Sequence, residues 1–337
     1  MSDDPRLTRA LPGAEATAHR LRCPVCGGGL SMTGPRTLGC ATGHRFEAAR
    51  QGYFNFLTGR GTSFVEDTQD MVAARERVLS AGTYARLSTR LAELAAGHLE
   101  ASAPPRASAG RGPGAGALVL DCGVGTGHYL KALLERLPGA QGIGLDLSRQ
   151  ALRRAAKVAT SVAIAWDLYR PWPVQDAVAH VLLDVFAPRN VPEAARVLRA
   201  GGLALVVTPL AGHLAELTPL GLLGTHPGKA ERVEAAFLET GAFRAEPTLE
   251  LREITRLSLA LAADLVQMGP AGHHLDGAQL LARAQALARS LSAPPPGAAA
   301  DAATAVDGHG ADGHPSAVGP GLEVTLAFRI QRFVRAP

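Results

Sequence analysis

Short apolar runs alternate with segments of helical periodicity over residues 117–240. The apolar runs, which predict strands, are residues 117–121, 141–146, 161–166, 177–183 and 203–208. Apolar positions at helical spacing lie between them, near residues 128–137, 148–158, 192–199 and 229–240. This alternation predicts a parallel sheet with helices on both faces and a ligand at the carboxyl ends of the strands. The expected fold class is therefore α/β.

Two further periodic segments flank this region. Residues 71–100 show helical spacing that is interrupted near Gly82. Residues 243–252 and 322–333 are expected to pair as an antiparallel hairpin at the end of the sheet. Residues 1–20 lack periodicity, and we expect a flexible tail there.

A glycine-rich loop follows the first predicted strand of the α/β region. The sequence from Val119 to Tyr129 reads Val-Leu-Asp-Cys-Gly-Val-Gly-Thr-Gly-His-Tyr and continues as a helix. Glycines let the backbone approach a ligand closely, and a helix N-terminus is electropositive. A dinucleotide-binding loop would read Gly-x-Gly-x-x-Gly, whereas this loop begins with Asp121. The second strand ends in another acid, Asp146, which is suited to binding ribose hydroxyls.

Four residues near the N-terminus have the spacing of a metal site. Cys23 and Cys26 form a C-x2-C pair, and Cys40 and His44 form a C-x3-H pair thirteen residues later. Zinc prefers four tetrahedral ligands, and three cysteines with one histidine are a common structural set. Redox use of the C-x2-C pair is the alternative, but it leaves the second pair unexplained. We therefore predict a structural zinc site in which no ligand position is open.

The net positive charge of the chain comes from residues 1–60, which contain these four residues. Residues 1–60 hold eight arginines and four acidic residues, whereas the remaining 26 basic and 26 acidic residues cancel. A basic excess on one small module favours a polyanionic partner, although a solvated surface explains it equally well. No apolar run reaches the ~18 residues of a membrane span. The acidic N-terminus does not resemble a signal peptide, so we expect a cytoplasmic protein.

These patterns divide the chain into four segments. We expect a tail at 1–20, a zinc-binding module at 21–60, a helical connector and linker at 61–116, and the α/β domain at 117–337. Within the last segment, a region rich in Pro, Ala, Gly and His at about 293–321 predicts a disordered insertion. Because the module and the α/β domain are separate in this division, deletion of residues 1–60 should leave ligand binding intact.

The loop, the second acid and the order of strands resemble the class I S-adenosylmethionine-dependent methyltransferases. The resemblance implies that the glycine loop wraps the methionine part of the cofactor, that Asp146 holds the ribose and that Asp167 contacts the adenine amino group. The cofactor-binding residues that it implies are Tyr84, Asp121, Gly123, Gly125, Thr126, Gly127, His128, Asp146, Asp167 and His213.

Four features of the chain resemble the bacterial large-subunit rRNA guanine-N1 methyltransferases. They are the zinc ligands, the segments 44–57 and 71–84, and the stretch Phe-Ala-Pro-Arg-Asn at 186–190. The last stretch is closest to the actinobacterial branch, which includes macrolide self-resistance enzymes. The resemblance implies methylation of a 23S rRNA hairpin near the peptide exit tunnel, with macrolide resistance as an outcome. It also implies that the protein can form a homodimer.

Methylation of guanine N1 requires loss of the proton that this nitrogen carries. Asp184, after the fourth strand, is placed to accept it, and Phe186 is placed to stack on the base. Arg189 is expected to hold a phosphate or the base oxygen. The expected RNA contacts on the zinc module are Arg36, Arg45 and Arg50, with Arg20, Arg22 and Arg60 as further candidates.

Two other functions stay open at this point. One is a zinc-ribbon factor for ribosome assembly whose methyltransferase-like domain performs no catalysis, but the intact glycine loop with Asp146 argues against it. The other is a small-molecule methyltransferase of secondary metabolism, against which the basic zinc module argues.

Overall fold

The computed structural model describes residues 10–58, 65–102, 114–222, 228–292 and 320–337. The strands are β1 Leu30–Gly34, β2 Thr37–Cys40, β3 Arg45–Glu47, β4 Phe54–Asn55, β5 Leu118–Cys122, β6 Gln141–Asp146, β7 Ser161–Ala165, β8 Ala179–Val185, β9 Leu198–Pro209, β10 Phe243–Ser258 and β11 Gly321–Arg335. The α-helices are α1 Pro12–Thr17, α2 Gln69–Ser80, α3 Ala85–Ser102, α4 His128–Arg136, α5 Arg149–Ala155, α6 Val191–Val197, α7 Lys229–Glu239, α8 Leu259–Gln267 and α9 Gly277–Ser292.

Eight strands form one central sheet in the order β10-β11-β9-β8-β5-β6-β7-β4. The six strands from β9 to β4 are parallel to one another, while β11 is antiparallel to both β9 and β10. All five strands predicted from apolar runs are present, and the predicted terminal hairpin is the β10–β11 pair. Every residue of β5 is buried, as a strand covered on both faces requires.

The zinc-binding residues lie beside a small antiparallel sheet in the order β1-β2-β3, and one of them, Cys40, ends β2. This module is joined to the central sheet, because β4 follows it directly and pairs with β7 through Phe54 and Ile164. Phe54 and Phe56 are fully buried in a hydrophobic cluster shared with Trp172 of the α/β domain. The module and the α/β domain therefore share a strand pairing and a hydrophobic cluster, which weighs against the expectation that deletion of residues 1–60 leaves ligand binding intact.

The predicted flexible tail is wrong for its second half. Helix α1 packs on the central sheet so closely that a Cβ at Gly13 would lie 2.0 Å from the carbonyl oxygen of Ser161. Ala14, Thr17 and Ala18 are buried. Small residues in a helix of six residues give no periodic signal, which explains why the sequence pattern missed it. Residues 1–9 lie outside the described residues.

Helices α2 and α3 account for the helical spacing at 71–100, and Gly82 between them has the left-handed φ of +79°. Helix α2 packs against α8, and α3 packs against α4. Helices α8 and α9, which precede the predicted insertion, were not expected. Of that insertion, residues 293–319 lie outside the described residues, and Gly321 already belongs to β11. Within the described ranges, no helix has the length and apolar character to cross a membrane.

Candidate functional site

The predicted metal ligands converge at one point beside β2. The Sγ atoms of Cys23, Cys26 and Cys40 and a ring nitrogen of His44 all lie within 4.8 Å of one another. The Cys26 and Cys40 sulfurs are 3.7 Å apart, and Cys40 Sγ is 3.4 Å from His44 Nδ1. Zn–S bonds of about 2.3 Å at tetrahedral angles place two sulfurs ~3.8 Å apart. The four residues therefore fit a zinc ion with no open coordination position.

The sequence pattern missed Thr42, which completes this site. Its hydroxyl oxygen lies 3.1 Å from Cys26 Sγ, from Cys40 Sγ and from His44 Nδ1. Hydrogen bonding from Thr42, aided by His44, lowers the pKa of the Cys40 thiol to about 6. The thiolate is the form that binds metal, so Thr42 favours the ligating state of the site.

A cavity of about 220 Å³ opens at the carboxyl ends of β5 to β8, the edge at which the parallel sheet was expected to bind its ligand. It lies where the predicted glycine loop and the predicted acids meet. The residues that line it are Gly123, Asp146, Leu147, Trp166, Asp167, Leu168, Tyr169 and Pro188.

Gly123, Gly125 and Gly127 have φ values of +82°, +52° and +87°, which only glycine adopts readily. A Cβ at Gly123 would lie 2.4 Å from the Cβ of Ala187, so the loop also needs the absence of a side chain there. The loop therefore lies against the residues that follow β8.

The second half of the loop faces another cavity. Thr126, Gly127 and His128 line an open cleft of about 650 Å³ between α2, α4 and α5, separate from the cavity that contains Asp146. His128 Nε2 lies 2.8 Å from the Ser88 hydroxyl oxygen, and burial lowers the pKa of this histidine. The structure thus places these three predicted cofactor residues at the end of the loop and the start of α4, outside the smaller cavity.

Asp146 binds the glycine loop directly. Its Oδ2 accepts a hydrogen bond from the Gly125 amide and its Oδ1 accepts one from the Ser148 amide, both at 2.8 Å. A carboxylate has about four lone-pair sites, so it can still accept bonds from two hydroxyl groups. Asp167, 8% exposed, turns its Oδ1 to the Tyr169 amide at 3.0 Å. Both acids line the cavity, as a nucleoside site requires.

Asp121, at the end of β5, is a buried acid with one unsatisfied oxygen. It is 2% exposed, and its Oδ2 has no hydrogen-bond partner among the described residues. Burial, followed by the charges of Asp146 and Asp184, raises its pKa to about 8. An orphaned buried carboxyl beside the glycine loop fits a cationic group, and S-adenosylmethionine carries a sulfonium and an ammonium.

We expect the affinity for S-adenosylmethionine to depend on the ionisation of Asp121. A cation binds the ionised carboxylate, so affinity should rise between about pH 7 and about pH 9, as Asp121 passes through its raised pKa. The cofactor's own amino group, with a pKa of about 8, titrates in the same range. The measurement is therefore the difference between wild type and Asp121→Asn in calorimetric titrations over this range. Parallel pH profiles would contradict the assignment.

Four rings meet beside the turn that follows β8. The Phe186 ring is 38% exposed and lies 6.4 Å from His213 in a stacked orientation, 6.5 Å from Tyr84 and 5.8 Å from Phe328. Its backbone has the left-handed φ of +59°, an uncommon conformation for a bulky residue. His213 Nδ1 accepts a hydrogen bond from the Ala327 amide. Burial lowers the pKa of His213 to about 4, so this ring is neutral.

Tyr84 and His213 were predicted near the cofactor, and the structure brings them to one cluster with Phe186. Phe328 of β11 was missed, because sequence alternation predicts a strand but not the ring against which it packs. Asp184 is 4% exposed, and its Oδ1 lies 3.8 Å from Nε of Arg189. The predicted catalytic acid therefore sits beside a cation and two residues before the exposed ring.

The predicted RNA-contacting arginines differ in exposure. Arg36 is 7% exposed and donates to the carbonyl oxygens of Ala49 at 2.5 Å and Arg50 at 3.4 Å, so its prediction as an RNA contact is wrong. Arg45 and Arg50 are exposed. Arg20 and Arg22 donate to the carbonyl oxygens of Gly116 and Trp172, and Arg60 lies outside the described residues. Charge counts cannot show which guanidinium groups fold back onto the chain.

Comparison with known proteins agrees with this geometry. A family model described as "Methyltransferase domain" matches residues 119–202, and one described as "RlmA, N-terminal" matches residues 21–58. A putative 23S rRNA (guanine-N(1)-)-methyltransferase from Micromonospora griseorubida is 44% identical over 81% of this chain and 93% of its own length. The chain belongs to this methyltransferase family.

Two further members of the family show the range of similarity. The 23S rRNA (guanine(748)-N(1))-methyltransferase of Streptomyces fradiae is 43% identical over 78% of this chain and 89% of its own length. A putative 23S rRNA (guanine-N(1)-)-methyltransferase from Bacillus subtilis is 31% identical over 58% of this chain and 66% of its own length. Family membership confirms the α/β methyltransferase fold with an N-terminal zinc-binding domain, and S-adenosylmethionine and zinc as cofactors.

Proposed function

We propose that this protein transfers a methyl group to N1 of a guanosine in a 23S rRNA hairpin near the peptide exit tunnel. The observation that best supports it is Phe186, a partly exposed ring on a left-handed backbone two residues from the buried Asp184. Strained backbone conformations cluster at functional sites, so the left-handed φ of this exposed ring supports a role in substrate contact. The names of the family members supply the substrate class.

Three residues at the end of β8 and in the following turn have roles in the proposed reaction: Asp184, Phe186 and Arg189. S-adenosylmethionine supplies a methyl group on a sulfonium. Phe186 stacks on a guanine that has left its helix, and Asp184 accepts the N1 proton and later returns it to solvent. Arg189, 19% exposed, places a cation beside Asp184. The remaining contribution is positioning, which needs no covalent intermediate.

Incubation of the protein with labelled S-adenosylmethionine and either unmodified 23S rRNA or small metabolites tests the proposal. N1-methylguanosine cannot form its Watson–Crick pair, so reverse transcription should stop beside the modified base. We propose the position that the name of the Streptomyces fradiae relative gives, guanosine 748. Asp184→Asn should lose the stop while the protein still binds cofactor. Label in small metabolites, or in nothing, would overturn the proposal in favour of a small-molecule enzyme or an assembly factor.

Macrolide resistance follows from the proposed location of the base. Expression of the wild type in a macrolide-sensitive bacterium should raise the inhibitory concentration of the drug, and expression of Asp184→Asn should not. Equal sensitivity of both strains, with the rRNA fully methylated in the first, would refute resistance without touching the methylation.

Arg45 and Arg50 of the zinc module are the proposed RNA contacts. Each phosphate contact makes the slope of log affinity against log salt concentration more negative by about 0.7 to 0.9. Arg45→Gln with Arg50→Gln should therefore make the slope less negative by about 1 to 2 and weaken RNA binding. The matched control is Arg252→Gln with Arg256→Gln, two exposed arginines on β10, the edge strand of the central sheet that lies opposite β4. RNA-binding titrations at several salt concentrations measure both. Equal slopes in the two double variants would show a merely solvated surface.

A further inference from the structure

Arg75 of α2 is held in place by two different elements. Its Nη1 donates to Asp67 Oδ2 at 2.6 Å, and its Nη2 donates to the carbonyl oxygen of Met268 at 2.9 Å. Met268 caps the C-terminus of α8, where carbonyl groups lack helical partners and favour a cation. The guanidinium is therefore fixed in orientation, and its side chain is 24% exposed.

The same side chain lies against the glycine loop. A Cβ at Gly125 would lie 4.0 Å from Cδ of Arg75, and the Gly125 amide is the one that Asp146 binds. The charge of Arg75 also opposes the burial that raises the pKa of Asp146. Arg75 thus places a fixed cation over the middle of a loop that otherwise faces the acids Asp121, Asp146 and Asp184.

The direction of the loop determines which part of the cofactor meets this cation. The smaller cavity, lined by Asp146, Asp167 and Gly123, has the acids suited to the adenosine part. The methionine part then continues past Gly123 along the loop, towards Gly125 and Arg75. It ends in a carboxylate, which needs a cationic partner among these acids. A guanidinium has five N–H donors, and the two bonds described use only two of them.

We propose that Arg75 binds the carboxylate of the methionine part of S-adenosylmethionine. Asp67 already shows that a carboxylate fits this end of the guanidinium. Helix α2 precedes the α/β domain in sequence, so the assignment adds a segment outside the glycine-loop region to the cofactor site. The inference concerns cofactor binding alone and does not depend on the RNA substrate.

Calorimetric titration with two ligands tests the contact. One ligand is S-adenosylhomocysteine, and the other is its decarboxylated analogue, 5′-S-(3-aminopropyl)-5′-thioadenosine. Loss of a charge-assisted bond corresponds to about a tenfold to hundredfold change in affinity. Arg75→Gln should lower the affinity for S-adenosylhomocysteine by about this factor and leave the affinity for the analogue unchanged. Arg75→Lys, which keeps the charge, should show a smaller loss for the first ligand.

The control is Arg90→Gln, which removes an exposed arginine that pairs with Glu93 within α3. It should bind both ligands as the wild type does, and thermal melting should show that all variants are folded. Equal losses for both ligands in Arg75→Gln would mean that Arg75 only supports α2 and α8, and no loss for either would place the carboxylate elsewhere. Either result overturns the proposal. No RNA enters the titration, so its failure and failure of the proposed methylation are distinguishable.

Discussion

Deletion of residues 1–58 is expected to leave a chain that neither melts cooperatively nor binds S-adenosylmethionine. The deletion removes β4, α1 and the fully buried Phe54 and Phe56, and it exposes Trp172. Loss of one buried aromatic side chain costs about 3–5 kcal/mol, against a total stability of about 5–15 kcal/mol. Circular dichroism melting and calorimetry with S-adenosylhomocysteine measure the two effects.

Cys40→Ser is the milder test of the same connection. It removes one zinc ligand but keeps β4 paired with β7, so it should lose zinc and lower the melting temperature while the central sheet still folds. A deleted chain that melts cooperatively and binds cofactor with wild-type affinity would show that the module is independent after all.

Asp146→Ala is expected to weaken cofactor binding by about a hundredfold or more. Loss of charge-assisted bonds to the ribose costs about 1.5–3 kcal/mol for each bond, and about 1.4 kcal/mol corresponds to a factor of ten. The substitution also leaves the Gly125 and Ser148 amides without the acceptor that holds the loop. Both effects act on the same site.

Asp167→Asn is a suitable comparison, because it keeps the size of a second acid in the same cavity and an oxygen for the Tyr169 amide. It should weaken S-adenosylhomocysteine less than Asp146→Ala does in calorimetric titrations. Unchanged affinity in a folded Asp146→Ala protein would exclude Asp146 from the cofactor site.

Local signals made most of the fold, the two cofactors and the Cys and His cluster predictable. The glycine loop and the Cys and His spacing are each complete within a short segment, so their chemistry is readable before the chain folds. The two-residue strand β4 is not, because its partner β7 lies more than a hundred residues away and only pairing identifies it. Helix α1 was missed for a related reason, since its contact with Ser161 depends on small residues rather than on apolar periodicity.

Side-chain direction was the other limit of the sequence. Arg36 and Arg45 contribute the same charge, yet one guanidinium binds carbonyl oxygens inside the module and the other is exposed. Arg75 was not singled out, because its proximity to Gly125 arises from the packing of α2 against α8. Phe328 joins the ring cluster only through the register of β11.

The pairing of β4 with β7 has one more consequence under the proposed function. It joins the surface that carries Arg45 and Arg50 to the sheet that carries the glycine loop through the backbone pairing at Phe54 and Asn55. The protein then selects the base that lies at a fixed distance from the point where the zinc module binds the RNA. A relative with another target nucleotide can arise by a change in the join at Phe54 and Asn55, with the reactive centre left as it is.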